Sequence, residues 1–181
     1  LGGGSLFNNI TGSSNTAIGN STLQNNKTGT GNVATGYRAL FNDSVGIVLS
    51  AGTLDGVNTP TYSKYGNIAY GTRALYTNTT GQDNVAIGTS AMDSTTTGFQ
   101  NVAIGHGALQ KNTTGYNNTV SGYQALYFNT TGYNNIASGY QALYKNTTGN
   151  NNVASGYRAL VNNKTGGFNI AIGNNALFSN I

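Results

Sequence analysis

The sequence predicts an all-β fold, a parallel β-solenoid (β-roll) of about ten coils of 17 residues each. The first observation is a glycine that recurs every 17 residues, with one longer step of 35. The second is that Asn, Ala and Leu keep fixed distances from this glycine, which a disordered linker has no reason to maintain. The charged fraction is 7%, so the composition is not that of an ordinary globular domain. We call these glycines the markers: Gly2, Gly19, Gly36, Gly71, Gly88, Gly105, Gly122, Gly139, Gly156 and Gly173.

Each coil opens with an Asn at position −4, counted from its marker glycine. A β-branched residue follows at −3 and an Ala at −2, as in Asn-Val-Ala-Ile-Gly over residues 84–88, and only Val120 replaces the Ala. This short alternating segment predicts a β-strand. Because the coils stack in register, we expect the Asn side chains to form a ladder of amide hydrogen bonds. The ladder consists of Asn15, Asn32, Asn67, Asn84, Asn101, Asn118, Asn135, Asn152 and Asn169.

An Ala-Leu pair stands at positions +3 and +4 of most coils, as in Ala125-Leu126. We interpret the surrounding Tyr-Gln-Ala-Leu-Tyr as a second, shorter strand. A helical turn is the competing interpretation, because Ala and Leu favour helices. Seventeen residues leave little room for a strand, a helix and two connections, so we expect two strands and two turns per coil. Facing rows of Ala would then make a thin interior, with Leu and Val filling the remaining space.

The segment Asn-Thr-Thr-Gly, as in residues 129–132, has the composition of a turn. Its Asn can bond its own backbone, and its Gly, at position +10, can adopt a positive φ. The same segment also matches the acceptor sequence for N-glycosylation. We favour the turn, because these sequons follow the phase of the repeat.

Residues 1–181 are expected to form a single β-solenoid repeat domain with an inserted loop at 47–64. The insertion contains the chain's one proline, Pro60, and a run Ile47-Val48-Leu49 that fits no repeat position. A degenerate coil is the alternative interpretation. Insertions in solenoids form loops on one face, often the binding face.

Composition argues against several classes of function. The chain has no Cys, no Glu, four Asp and one His, and these are scattered, so we expect no catalytic residue, no cofactor and no metal site. The eight basic residues are also spread along the chain, whereas a nucleic-acid-binding protein would cluster them. No apolar run approaches the roughly 20 residues that span a bilayer, so we expect no direct membrane insertion.

The combination of Asn-Val-Ala-Ile-Gly, Ala-Leu and Asn-Thr-Thr-Gly resembles the head repeats of trimeric autotransporter adhesins, and similar repeats occur in phage tail fibres. The Ala-Ile-Gly element carries the resemblance most clearly. The resemblance implies a left-handed β-roll, a homotrimer about a common axis, an extracellular position on a bacterial surface or virion tail fibre, and a host glycan or protein receptor as partner. The element occurs at residues 17–19, 86–88, 103–105 and 171–173.

The number of chains in the assembly stays open at this point. Ser121, Ser138 and Ser155 stand where other coils have Ile, which would give a polar core if this position faced a threefold axis, so a lone solenoid is the alternative. Each coil offers little apolar surface for ordering 17 residues, and burying a further face against a partner would supply the missing area.

Rows of aromatic residues at positions +1 and +5 are the candidate binding residues. A row left exposed beside Gln and Arg would suit sugar rings, through stacking and hydrogen bonds. Packing in the core or between protomers is the alternative. The candidate glycan surface consists of Tyr37, Arg38, Arg73, Tyr123, Gln124, Tyr140, Gln141, Tyr157 and Arg158.

Two other functions fit a solenoid. An ice-binding solenoid needs a flat face of regularly spaced Thr, but adjacent Thr pairs such as Thr113-Thr114 would point in different directions. A purely structural filament or sheath subunit needs no ligand.

Overall fold

A computed structural model describes residues 2–43 and 66–179 of the chain, and these residues contain nine β-strands and no helix. All nine strands lie in one parallel sheet in the order of the chain, forming a β-solenoid of about eight turns. The all-β parallel solenoid predicted from the repeat is therefore confirmed. The strands are β1 (Thr16–Ile18), β2 (Val33–Thr35), β3 (Ile68–Tyr70), β4 (Val85–Ile87), β5 (Val102–Ile104), β6 (Thr119–Ser121), β7 (Ile136–Ser138), β8 (Val153–Ser155) and β9 (Ile170–Ile172).

The strands pair in strict register, so that the residue at −2 in one coil lies beside the residue at −2 in the next. The pairing continues across the step of 35 residues, where Ala34 lies beside Ala69. The sheet is thus continuous from β2 to β3. The loop predicted for 47–64 lies outside the described residues.

The prediction of a second strand in each coil is wrong. Gln124 and Leu126, at positions +2 and +4, both have φ of 51°, and the same two positions are left-handed in the other coils. Alternating left-handed residues curl the chain into a turn and prevent it from extending. The turn still bonds to its neighbours, because the Leu109 N–H donates to the Ala125 carbonyl at 3.0 Å. Each coil therefore contains one strand and a long turn that bonds to the adjacent coils.

The interior consists of Ala from the strands and Ala-Leu from the turns. Leu109, Leu126 and Leu143 have no exposed surface. The expectation that Val also fills the interior is confirmed for Val120, which has no exposed surface, and is wrong for position −3, where Val33 is 43% exposed. A strand of three residues points only its central side chain inward and the two flanking side chains outward.

The marker glycines stack backbone on backbone. Gly105 has φ of 132°, and a Cβ built on it would lie 2.5 Å from the carbonyl oxygen of Gly122 in the next coil. Both the conformation and the space therefore require glycine at this position.

Candidate binding surfaces

The asparagines at position −4 form a continuous hydrogen-bonded ladder inside the solenoid wall. Asn118 donates its backbone N–H and its side-chain Nδ2 to the Oδ1 of Asn101, both at 3.0 Å. The same Nδ2 also donates to the Gly132 carbonyl at 3.0 Å. Such a buried amide has no free capacity for a ligand, so the ladder holds the coils in register.

A second row of buried asparagines occupies position +7, and sequence reasoning recognised its members only as turn residues. Asn129 Nδ2 donates to the Gly132 carbonyl and to Asn112 Oδ1, both at 2.9 Å. The repeat period could have identified this row, since the same Asn recurs every 17 residues. Because Asn112, Asn129 and Asn146 have no exposed surface, their side chains are inaccessible to glycan attachment in the folded chain.

Asp43 replaces Asn in this second row and is 2% exposed. Its carboxylate accepts hydrogen bonds from Asn32 Nδ2 at 2.9 Å and from Asn78 Nδ2 at 3.0 Å. Burial raises the pKa of Asp43 to about 7, although the two hydrogen bonds oppose this shift. Asn26 Oδ1, which belongs to the same row, has no donor. The Asp43 carboxyl, when unprotonated, has no hydrogen to donate to Asn26 Oδ1.

The outer sheet face, formed by the side chains at positions −3 and −1 of the nine strands, is largely apolar and exposed. Nine of its large apolar side chains are 37–73% exposed, and Val85, Val102 and Val153 are partly buried. Ser121 and Ser138 interrupt the face near its middle. Exposed apolar side chains grouped on one face in this way are typical of an interaction surface. Its exposed apolar members are Ile18, Val33, Ile68, Tyr70, Ile87, Ile104, Ile136, Ile170 and Ile172.

A second surface, which we call the aromatic–basic arc, is formed by the outward side chains at positions +1, +2, +5 and +6 of the long turns. These positions are neighbours on the surface. The Arg38 guanidinium carbon lies 5.2 Å from the ring centre of Tyr37 and 5.3 Å from that of Phe41. The rings of Tyr127 and Phe128 are 4.8 Å apart. All nine residues of the predicted glycan surface occupy positions +1 and +2 of this arc.

Within the arc, His106, Tyr123, Tyr140 and Tyr157 form one stack with ring centres 5.2 Å apart. The Tyr rings lie within 8° of parallel. The faces of the inner rings are therefore covered by their neighbours, and a sugar cannot lie flat on them. The ring edges, including the phenol hydroxyls, are what the stack offers to solvent.

The remaining predicted residues lie in different places, and the Arg158 guanidinium carbon lies 5.0 Å from the ring centre of Phe178. Gln141 Nε2 donates to Gln124 Oε1 at 3.1 Å, so these two side chains continue the register of the adjacent Tyr stack. Tyr37 is separated from that stack, because Thr72 and Thr89 occupy the intervening +1 positions.

Arg73 is engaged within the protein. Its guanidinium makes two hydrogen bonds to Asp93, at 2.8 and 3.1 Å, and lies 4.5 Å from the ring centre of Tyr76. The Asp93 side chain is 7% exposed. The charge of Arg73 is thus balanced locally, and its contact with Asp93 joins two neighbouring coils.

The paired threonines form one outward row. Thr113 Oγ1 donates to the Thr130 carbonyl of the next coil at 2.9 Å, whereas Thr114 and Thr131 are exposed. One outward Thr per coil gives a single file, while an ice-binding face requires an array in two dimensions.

Comparison of the chain with protein-family models, curated proteins and solved structures gives no match. Residues 2–43 and 66–179 contain no group of three or more His, Cys, Asp or Glu that could hold a metal ion. In the same ranges, no helix has the length and apolar character of a membrane span. The two outward surfaces are therefore interpreted from their own chemistry.

Proposed function

We propose that this chain is a structural and adhesive segment of an extracellular trimeric fibre, of a bacterial surface or a phage tail, with the outer sheet face buried between three left-handed solenoids. The observation that carries this proposal is the exposed apolar strip along β1–β9. The resemblance of the repeats to adhesin heads and tail fibres supports an assembly of three chains and an extracellular position.

Energetics favour burial of this strip. Ile87 and Ile104 are 37% and 43% exposed on adjacent strands, while the interior supplies little more than Ala and one Leu per coil. Burial of apolar surface contributes about 25 cal/mol per Å². Rotational symmetry places the same face of each chain against its counterparts, level by level, so that every coil contributes to the contact.

The hydrogen bonds between coils are suited to a stiff, elongated support. Each coil is joined to the next by strand pairing, by the −4 ladder and, for most of the stack, by the +7 row. In-register amide ladders favour straight, stiff sheets. A stiff trimeric rod can hold a receptor-binding part away from its base while the aromatic–basic arc stays on the outside.

The molar mass in solution, measured by light scattering on a size-exclusion column, tests the proposal. We expect three times 18.7 kDa for the unaltered chain. The double variant Ile87→Asp, Ile104→Asp places charges in the outer sheet face and should give a folded monomer of 18.7 kDa. The matched control, Tyr123→Asp with Tyr140→Asp, changes the arc and should remain trimeric. An unaltered chain that is monomeric at all concentrations contradicts the proposal, and open-ended polymers would support a filament subunit instead.

A further inference from the structure

The net positive charge of this chain is confined to its second half. Residues 1–93 contain four basic and four acidic residues, and no Asp or Glu follows Asp93. The net charge of +4 therefore comes from Lys111, Lys145, Arg158 and Lys164. Such a charge distribution attracts anionic partners to one part of the rod.

Three of these cations, Lys111, Lys145 and Arg158, lie on the aromatic–basic arc. Lys111, Phe128 and Lys145 share position +6 of three successive coils. Both lysines are exposed, and within the described residues neither forms an ion pair. The ring of Phe128 packs edge-on against Tyr127 at 4.8 Å and Tyr144 at 5.1 Å, and it remains 40% exposed.

The side chains at +1 and +2 beside Phe128 and Lys145 are polar but uncharged. The Tyr stack and the Gln124–Gln141 pair lie at the +1 and +2 positions of the same coils. Their hydroxyl and amide groups can both donate and accept hydrogen bonds, as sugar hydroxyls do. The patch combines regularly spaced cations, an exposed apolar ring and hydroxyl-matching groups.

We infer that the arc between about residues 106 and 164 binds an acidic polysaccharide that runs along the rod. The two lysines are two rungs apart, about 10 Å, and would pair with carboxylates carried by alternate sugar units. Phe128, between them, would contact the apolar face of the intervening sugar. This inference rests on the adhesive part of the proposed function and does not require the trimer.

The ring geometry favours a polysaccharide over a single-stranded nucleic acid. Proteins that bind single strands stack bases on exposed aromatic faces. Here the inner Tyr faces are covered by neighbouring rings 5.2 Å away, and only their edges are free. Edge hydroxyls suit hydrogen bonding to sugars.

Binding of hyaluronan, a polysaccharide with one carboxylate per disaccharide, is the experiment, with dextran of equal length as the neutral probe. We expect saturable binding of hyaluronan that weakens with salt, and no binding of dextran. Exposed ion pairs are weak, so Lys111→Gln and Lys145→Gln should each reduce affinity by about 2- to 5-fold. Phe128→Ser should give a comparable loss. Lys27→Gln removes an exposed lysine from the neutral half of the chain and should leave affinity unchanged.

Three results would overturn the inference: absence of hyaluronan binding, an equal loss of affinity in Lys27→Gln, or tighter binding of an oligothymidine through the same lysines. Circular dichroism of each variant establishes that it is folded. The monomeric Ile87→Asp, Ile104→Asp variant separates this inference from the trimer, because its affinity per chain for a short hyaluronan oligosaccharide should be unchanged. If the chain proves to be monomeric, hyaluronan binding per chain should be unchanged. If hyaluronan does not bind, the molar mass measured by light scattering should still be that of a trimer.

Discussion

Thr95 and Asp43 interrupt the buried asparagine row at position +7. Thr95 Oγ1 and Asn78 Oδ1 are both buried without a hydrogen-bond partner, because a Thr cannot reach both neighbours as an amide does. A buried polar atom without a partner destabilises a fold by about 1–3 kcal/mol. These two positions are therefore where single substitutions should improve the solenoid.

Thr95→Asn should stabilise the chain by about 1 kcal/mol, because the new amide can donate to Asn78 Oδ1 and accept from Asn112 Nδ2. Chemical denaturation at fixed protein concentration measures the change. Thr95→Val, which removes the unpaired hydroxyl without completing the row, should give a smaller gain. A less stable Thr95→Asn variant would show that the +7 row does not accommodate an amide at position 95.

Asp43 should make stability depend on pH. Its pKa rises from 3.8 in the unfolded chain to about 7 in the folded one. The folded state therefore holds the proton more tightly, and stability falls as pH rises from about 4 to about 7. At about 1.36 kcal/mol per pKa unit, the loss is on the order of 4 kcal/mol. Asp43→Asn should remove this dependence and raise stability at neutral pH.

Thermal unfolding at about pH 5 and about pH 8 tests this effect. His106→Gln is the control, because it removes the chain's one His and should leave the difference between the two pH values in place. If the difference disappears with His106→Gln and persists in Asp43→Asn, the effect belongs to His106.

Sequence alone predicts some residue roles better than others. The −4 ladder could be foreseen, because an Asn at every coil has another Asn amide directly above and below it. The direction of Val33 could not, since two of the three residues in so short a strand point outward and alternation does not say which. The +7 row was hidden by the familiar turn composition of Asn-Thr-Thr-Gly.

At the scale of the element, the contacts between stacked coils override the local conformational preference of the residues in the long turn. A left-handed conformation is unfavourable by about 1–2 kcal/mol for a residue such as Leu126. It is maintained because the same turn buries the Leu completely and bonds its backbone to both neighbouring coils. Local preference, which suggests a strand or helix for Gln-Ala-Leu, therefore could not predict this turn.

The marker glycines should be the least replaceable element of the coil. Gly122→Ala places a Cβ against the Gly139 carbonyl and requires φ of 140°, so strain and overlap together should destabilise by on the order of 4 kcal/mol. Gly107→Gln is the matched control. Gly107 has φ of 64°, and a Cβ built on it would meet only side-chain atoms, of Gln110 at 3.3 Å, Gln124 at 3.4 Å and Tyr127 at 3.5 Å. Gln124 occupies the same position one coil later, so the loss should be about 1 kcal/mol. Denaturation midpoints that rank these two variants in the opposite order contradict the stacked-backbone explanation.

At the scale of the whole molecule, the narrow interior and the two outward surfaces have separate roles. The interior is filled by Ala, Leu and hydrogen-bonded Asn, and it fixes the spacing of every row. The outer sheet face carries apolar residues that the interior has no room for. The aromatic–basic arc carries three of the four residues that give the net charge, Lys111, Lys145 and Arg158. Because the arc and the outer sheet face use different positions of the repeat, self-association and ligand binding can coexist.

Disulfide trapping is the most direct test of the central claim, that the outer sheet face is where copies of this chain meet. The chain has no Cys, so a single substitution supplies the only thiol. Under mild oxidation, Ile104→Cys should give a covalent dimer from within the trimer, because symmetry brings the same residue of each chain to one axis. Tyr140→Cys, on the arc, should remain unlinked. No dimer from Ile104→Cys, or equal dimer from both variants, would contradict the claim.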